Sequence, residues 1–364
     1  MQSRQRIVRL APLHEIEAAI ASFEPAAAVT VPILDAIGAV LAAPVTVTGP
    51  VPAQAIAARD GWAVASADTV DASSYAPMPL AVKPMWVEAG QPLPGGADAV
   101  LPPDGVEITS GIAHAVVAAA PSENVLPRGF HVERTLLEPG RRLRPSDAMA
   151  LAHCAVDTIS VRRPCVRVIA IKSHAAGTAA ALAKLIELGG GTASTAELSD
   201  RPLKTLLDSP DDALVLIGGT GEGQNDRTIS ALRESGDVIL HGFGIRPGET
   251  AALARVNEKP VLALPGRFDA ALSAWLVAGK NLLSRLGDEA IANAYERRSL
   301  TRKITSTVGL AEAILVKHVG DGVEPIAAGV FPASALTSAT GWVLVPPDLE
   351  GYASGMIVDV RPLA

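Results

Sequence analysis

The chain has 364 residues, too many for one ordinary core and enough for two to four domains. Hydrophobic residues make up 49% but aromatics only 3%, which points to large cores packed from small, alanine-rich helices. A net charge of −7 leaves no uniform basic field, so extended nucleic-acid binding is excluded.

The first residues lack the apolar stretch of a signal peptide, and no run of 18 apolar residues occurs anywhere. We therefore expect a soluble, cytoplasmic protein without a membrane span. The spacing of Leu13, Ile16, Ile20 and Phe23 predicts a helix over 12–23, with Pro12 suited to its first turn. A second short helix is expected over Leu34–Leu41. From Pro44 to about residue 128, short apolar runs are broken by Pro50, Pro52, Pro77, Pro79 and Gly95-Gly96, the texture of a small β-rich module. Ser146 after Pro145 reads as the N-cap of a helix through Cys154, and Arg162-Arg163-Pro164 as a boundary. The two cysteines, Cys154 and Cys165, are too few for a disulfide framework and read as thiols in a reducing compartment.

From Cys165 onward, strands alternate with helices. Strands are expected at 166–171, 213–217, 238–240, 251–256 and 261–264. Helices are expected at 175–188, from Asp200-Arg201-Pro202, at 226–235, and over a long stretch through Leu272, Trp275, Leu283 and Leu286. Such alternation implies a mostly parallel sheet with both faces covered. Beyond residue 299 the pattern turns β-like again, with no low-complexity segment and no repeat.

In an open α/β sheet, ligands bind where strands end at their carboxyl edge. Three loops leave strands there: IKSHAAG (171–177), IGGTGEGQND (217–226) and LPGRF (264–268). In the second, Gly218, Gly219, Gly221 and Gly223 permit positive φ and close backbone approach just before a helix, an arrangement that favours phosphate or another oxyanion. It is not a P-loop, since GK[ST] is absent, and a glycine-rich turn without ligand stays open at this point. Asp226 could simply cap its helix, Asp212 could be an ordinary turn acid, and Asp60-Gly61 could be a plain turn. The seven histidines show no zinc spacing, and nothing resembles GxSxG.

Taken in order, these segments resemble the MoeA/gephyrin E-domain family, the molybdopterin molybdenumtransferases. ARDGWAV (58–64) is similar to AMDGYAV, and EAGQPLPGGADAVLPPD (88–104) to a segment with an LPxGADAVV core. GGTGEGQND (218–226) is similar to GGVSVGxxD, IRPGE (245–249) to IKPGK, LPGRF to LPGNP, and SATGWVLVPP (338–347) to SANGLxxLP. The likeness covers nearly the whole chain. It implies a multidomain α/β fold with β-rich modules: a segmented helical domain (1–45 plus 129–163), a β-rich domain (46–128), a MogA-like three-layer α/β pterin-binding domain (164–297) and a C-terminal β-barrel (298–364).

The resemblance also implies a reaction, insertion of molybdate into adenylylated molybdopterin with release of AMP, supported by Mg²⁺. It implies a homodimer whose site lies between the α/β domain of one subunit and the second domain of the other, with a MogA-like protein or a recipient molybdoenzyme as a further partner. Carried over by position, Asp60, Asp212 and Asp226 are the expected catalytic acids, and Asp212 and Asp226 the metal ligands. Gly218, Gly219, Gly221, Gly223, Ser173, Arg246, Pro265, Gly266 and Arg267 are the expected cofactor contacts. Several positions depart from the family pattern. The two acids of a TGDEL-type loop are absent from IKSHAAG, the loop serine is Gly221, the lysine of PGK is Glu249, and Asn-Pro is Arg267-Phe268. Lys172 and Arg267 are the residues placed to supply new contacts. The alternative kept open is a catalytically reduced molybdopterin carrier that serves one molybdoenzyme.

Overall fold

The computed structural model describes residues 5–198, 203–290 and 295–363. They form two compact units, Pro44–Glu138 with Met149–Asp157, and the remainder. The smaller unit is β-rich. At its centre the strand Gly61–Val64 lies between Met85–Val87 and Ala99–Leu101, both antiparallel to it. Val64, Leu80, Ala99, Leu101 and Ala115 fill a core beside this sheet. The Asp-Gly pair has a packing reason: a Cβ on Gly61 would lie 1.9 Å from the Leu101 carbonyl oxygen, so no larger residue fits.

In the larger unit, helix α1 (Leu13–Ala21) buries Ile16 and Ile20. The expected second helix is a run of turns through Gly38 instead, where φ is +84°. Too few residues separate Pro32 from that glycine for two helical turns, and Val40–Leu41 pairs with Thr158–Arg162 as a strand. Val29–Pro32 flanks the same strand on its other side. Helix α2 runs Pro145–His153, its first four residues counted with this unit and the rest with the smaller one. The side chain that ties its first turn is Asp147, which accepts the Arg144 N–H at 2.9 Å, rather than Ser146.

The α/β layer comprises β1 (Cys165–Ala170), α3 (Ala176–Leu188), β2 (Thr192–Glu197), α4 (Leu203–Leu207), β3 (Ala213–Ile217), α5 (Thr228–Ser235), β4 (Asp237–His241), β5 (Ala252–Val256) and β6 (Lys259–Leu264), followed by α6 (Phe268–Ala274), a π turn over Trp275–Gly279 and α7 (Lys280–Gly287). The helix start expected at 200–202 lies outside the described residues. Strand order is β2-β1-β3-β6-β5-β4. The first four strands are parallel, and β5 and β4 are antiparallel additions at one edge. Side chains alternate between two cores. Val166, Val168, Val215 and Ile217 face α1, α3, Trp275 and α7, whereas Ile169, Leu214 and Leu216 face Leu206, Ile229 and Leu232. The sheet is thus covered by helices on both faces.

The C-terminal strands are β7 (Glu296–Leu300), β8 (Ala311–Val319), β9 (Gly322–Ala327), β10 (Gly341–Val345) and β11 (Ile357–Val360). They pair in the order β10-β8-β9-β7-β11 around Leu300, Ile314, Val316, Val343 and Val358. This corrects the expectation of a closed barrel. Among the described residues the outer strands meet through one bridged pair, Trp342 with Arg361, and not through a ladder. The sheet also contributes Ala313, Leu315 and Trp342 to the core it shares with the α/β layer. With its other face covered in that way, it does not have to curl shut.

Candidate functional site

The carboxyl ends of β1, β3 and β6 bring the three expected loops together. A cleft of about 200 Å³ lies between them, lined by Lys172, His174, Ala175, the 217–221 turn, Asp226, Thr250 and Pro265–Arg267. Sites that enclose a whole drug-sized ligand measure roughly 300–1,000 Å³, so this cleft takes one end of such a molecule.

Glycine here is dictated by geometry. Gly218 and Gly219 have φ of +106° and +70°. A Cβ on Gly266 would sit 3.4 Å from Gly218 Cα, so the second and third loops touch backbone to backbone. A Cβ on Gly219 would lie 2.4 Å from Thr228 Oγ1, and that hydroxyl donates to the Gly218 carbonyl at 2.7 Å. Thr228 N–H in turn donates to the Gly219 carbonyl. Opposite the cleft the turn is held by Gln5, which is 3% exposed. Its amide nitrogen donates to the carbonyls of Gly219 (2.8 Å) and Gly221 (2.5 Å), and its oxygen accepts the N–H of Ile229 (3.2 Å). Thr220 pairs with Thr250 through their hydroxyls, and His241 contacts the Thr220 carbonyl through Nε2 at 3.0 Å. Burial pushes the His241 imidazole below its ordinary pKa. Gln5, Thr250 and His241 escaped the sequence reading. Gln5 is more than 200 residues from the turn it holds, and no local pattern marks it.

Asp226 closes the loop as expected. Its Oδ2 accepts the Gly223 N–H at 3.1 Å and occupies the space where a Cβ on Gly221 or Gly223 would be, 2.9 Å away in both cases. Its Oδ1 lies 3.7 Å from Lys172 Nζ. Arg267 reaches the rim, but its guanidinium makes a two-point ion pair with Asp269. Asp269 is buried and also accepts the Phe331 N–H. Burial is the largest influence on Asp269 and acts to raise its pKa. The Arg267 hydrogen bonds together with the Phe331 and Ala270 amides outweigh it, and the carboxyl titrates below its ordinary range. Asp269 and Glu249 in turn hold the Arg267 guanidinium protonated. Ser173 opens the short turn after β1, next to the lining but outside it.

Three further expected residues do not join this group. Asp212 precedes β3 at the opposite edge of the sheet, where its carboxylate accepts the Cys165 N–H at 2.8 Å. A five-residue strand separates it from the cleft by about 16 Å, so it cannot share a metal with Asp226. Arg246, on the short strand Ile245–Arg246 that pairs with β8, lies beside Gly329 and Glu312 and does not line the cleft. Asp60 belongs to the smaller unit, where it accepts the Ala89 N–H at 2.8 Å.

The family model "MoeA N-terminal region (domain I and II)" matches residues 7–155, and "Probable molybdopterin binding domain" matches 179–285. Together they take in more than half of the chain. The chain is similar to a molybdopterin molybdenumtransferase of Bacillus subtilis, 23% identical over 90% of this chain and 87% of that one. It is 34% identical to a molybdopterin biosynthesis protein of Methanocaldococcus jannaschii over 44% of its own length, and that alignment spans only 38% of the relative. Among solved structures, a molybdopterin biosynthesis MoeA protein of Pyrococcus horikoshii superposes with a TM-score of 0.76 at 26% identity, covering 98% of this chain and all of that one.

Proposed function

Because the chain belongs to the MoeA family and acts in molybdenum cofactor biosynthesis, we propose that its cleft binds molybdopterin by the phosphate end and that adenylylated molybdopterin and molybdate are its substrates. The observation that carries this reading is the cleft itself. A glycine turn with two positive-φ residues leads into α5, and beside it stands Lys172, 44% exposed at the side chain. Among the described residues, the Gly219 and Gly221 amides have no protein acceptor. Free amides and one ammonium are what a phosphate dianion needs. A cleft of this volume takes the phosphate and its neighbouring atoms and leaves the rest of the pterin outside.

In the proposed reaction, water cleaves the phosphoanhydride. Its oxygen stays on one phosphorus and the bridging oxygen on the other, so AMP and molybdopterin separate; both dithiolene sulfurs then bond to molybdenum as one molybdate oxygen departs as water with the two thiol protons. The remainder of the site would come from Asp60 of the smaller unit in a homodimer, with a MogA-like protein supplying the pterin or a molybdoenzyme receiving it.

Magnesium, which the resemblance implies, does not fit the residues present. Among the described residues, Asp226 is the sole carboxylate lining the cleft. It is already engaged by the Gly223 amide and by an ammonium, and among the described residues no three ligating side chains cluster. A hard divalent ion held by one such carboxylate lacks the oxygen shell it requires. That same observation favours a second reading, a carrier that holds molybdopterin without turning over its adenylylated form.

The deciding experiment incubates purified protein with adenylylated molybdopterin and molybdate, then measures AMP and protein-bound pterin and molybdenum. AMP release with molybdenum bound to the pterin supports the transferase. Retained pterin without AMP supports the carrier. Neither pterin retention nor AMP overturns both.

A further inference from the structure

We propose that Lys172 is the built-in cation of this cleft and that phosphate binding here is independent of any divalent metal. The inference rests on the reading of the cleft as a molybdopterin phosphate site and goes beyond it by naming the group that balances the phosphate charge. Lys172 is the second residue after β1 and immediately precedes the short turn Ser173–Ala175, which places its Cα at the carboxyl edge of the sheet. Its ammonium stands 3.7 Å from Asp226 Oδ1. That exceeds hydrogen-bond range, so the N–H groups stay available to a ligand while the carboxylate still draws the ammonium inward. The other strong cation on the rim, Arg267, is taken up by Asp269 through two hydrogen bonds.

A divalent ion entering beside Asp226 would meet a fixed positive charge and a carboxylate with one oxygen already committed to Gly223. A phosphate dianion meets the reverse: an ammonium and the amides of Gly219 and Gly221, which have no acceptor among the described residues. The site is therefore selective for an anion that arrives without its metal. Lys172 acts as an affinity and specificity residue by direct contact with the phosphate.

The test is equilibrium binding of metal-free molybdopterin, released from a denatured molybdoenzyme and followed by pterin fluorescence. It is run on the full chain in excess EDTA and again in excess Mg²⁺. Equal affinity in both buffers is the expected result for the unmodified protein. Lys172→Met should weaken binding roughly 10- to 100-fold, the loss of one charge-assisted hydrogen bond, while Lys172→Arg keeps most of it. Binding that requires Mg²⁺, or an unchanged affinity in Lys172→Met, overturns the inference and leaves the pterin reading standing. No binding in either buffer removes the pterin reading and this inference with it. Lys172 is half exposed and in no core, so the variants fold, and the two-buffer comparison does not depend on them.

Discussion

Replacing Gln5 with alanine tests whether the cleft is held from behind by a residue remote in sequence. The side chain is 3% exposed and satisfies three backbone groups at once, the carbonyls of Gly219 and Gly221 and the amide of Ile229. The last of these belongs to the first turn of α5, whose own N-cap position, Arg227, makes no side-chain capping hydrogen bond to the helix. Gln5 thus caps a helix more than 200 residues away. In Gln5→Ala, each stranded buried group costs about 1–3 kcal/mol. Water can reach part of the gap, so we expect a total loss of about 2–4 kcal/mol. For a unit of this size that lowers the melting temperature by about 4–12 °C. Urea melts followed by the fluorescence of buried Trp275 and Trp342 report on this unit. Glu222→Ala is the control. It removes the exposed acceptor of the Ile7 N–H and should cost less than about 0.5 kcal/mol. If Gln5→Ala melts within about 0.5 kcal/mol of the unmodified chain, the turn is self-supporting and the argument for a pre-formed anion site weakens with it.

Gly279→Ala places a methyl 2.1 Å from the Trp275 ring inside a helix. Alanine's helix preference is worth about 1 kcal/mol, but overpacking costs about 1–3, so net destabilisation with altered tryptophan emission is expected, and a stabilised variant contradicts the packing. His241 titrates below its ordinary 6.5 because burial disfavours its charged form. Its contribution is therefore unfavourable wherever the unfolded chain binds the proton and the folded one does not. Stability should fall as pH drops below 6.5 toward the lower folded value, and His241→Gln, which can still donate to Thr220, should flatten that slope in melts taken across the range. Asp269 titrates below the carboxylate range. Its stabilisation is complete above about 3.9 and is lost as pH falls through the folded value. Arg267→Ala should move this acid limb to higher pH and cost about 1–3 kcal/mol at neutral pH, discounted because the guanidinium is largely exposed.

The parts of the fold legible in the sequence were those with a repeating apolar pattern. The buried strand Ala213–Ile217 is apolar throughout, and its limits match the reading. The long helix from Phe268 to Gly287 carried a helical stripe, although nothing betrayed the π turn at Trp275. Strand β2, TASTAE, was missed because it is an edge strand whose residues are exposed or half-buried, so it carries no apolar signal. The three loops were placed at one edge because strand–loop–helix order dictates it. Asp212 entered the expected site through the resemblance alone, since strand limits of 213–217 already put it ahead of the strand. Here it precedes the strand, and the glycines follow it.

The two departures from the family pattern that look most damaging, Glu249 and the missing loop acids, have a common electrostatic resolution. Glu249 folds back to accept the neighbouring Gly248 N–H at 2.9 Å, and its charge, like that of Asp269, supports the Arg267 guanidinium. The reversed charge is thereby balanced within the rim and does not leave a bare anion facing the phosphate. Where the family pattern has acids after β1, this chain has Lys172, which faces the one remaining carboxylate. Arg267 then serves the framework and Lys172 the ligand. Their removal should separate cleanly: Arg267→Ala lowers stability more than pterin affinity, and Lys172→Met lowers affinity with little change in stability. Equal losses in both measurements for both variants would mean that the charges on the rim act as one network, and the division of labour argued from their partners would have to be abandoned.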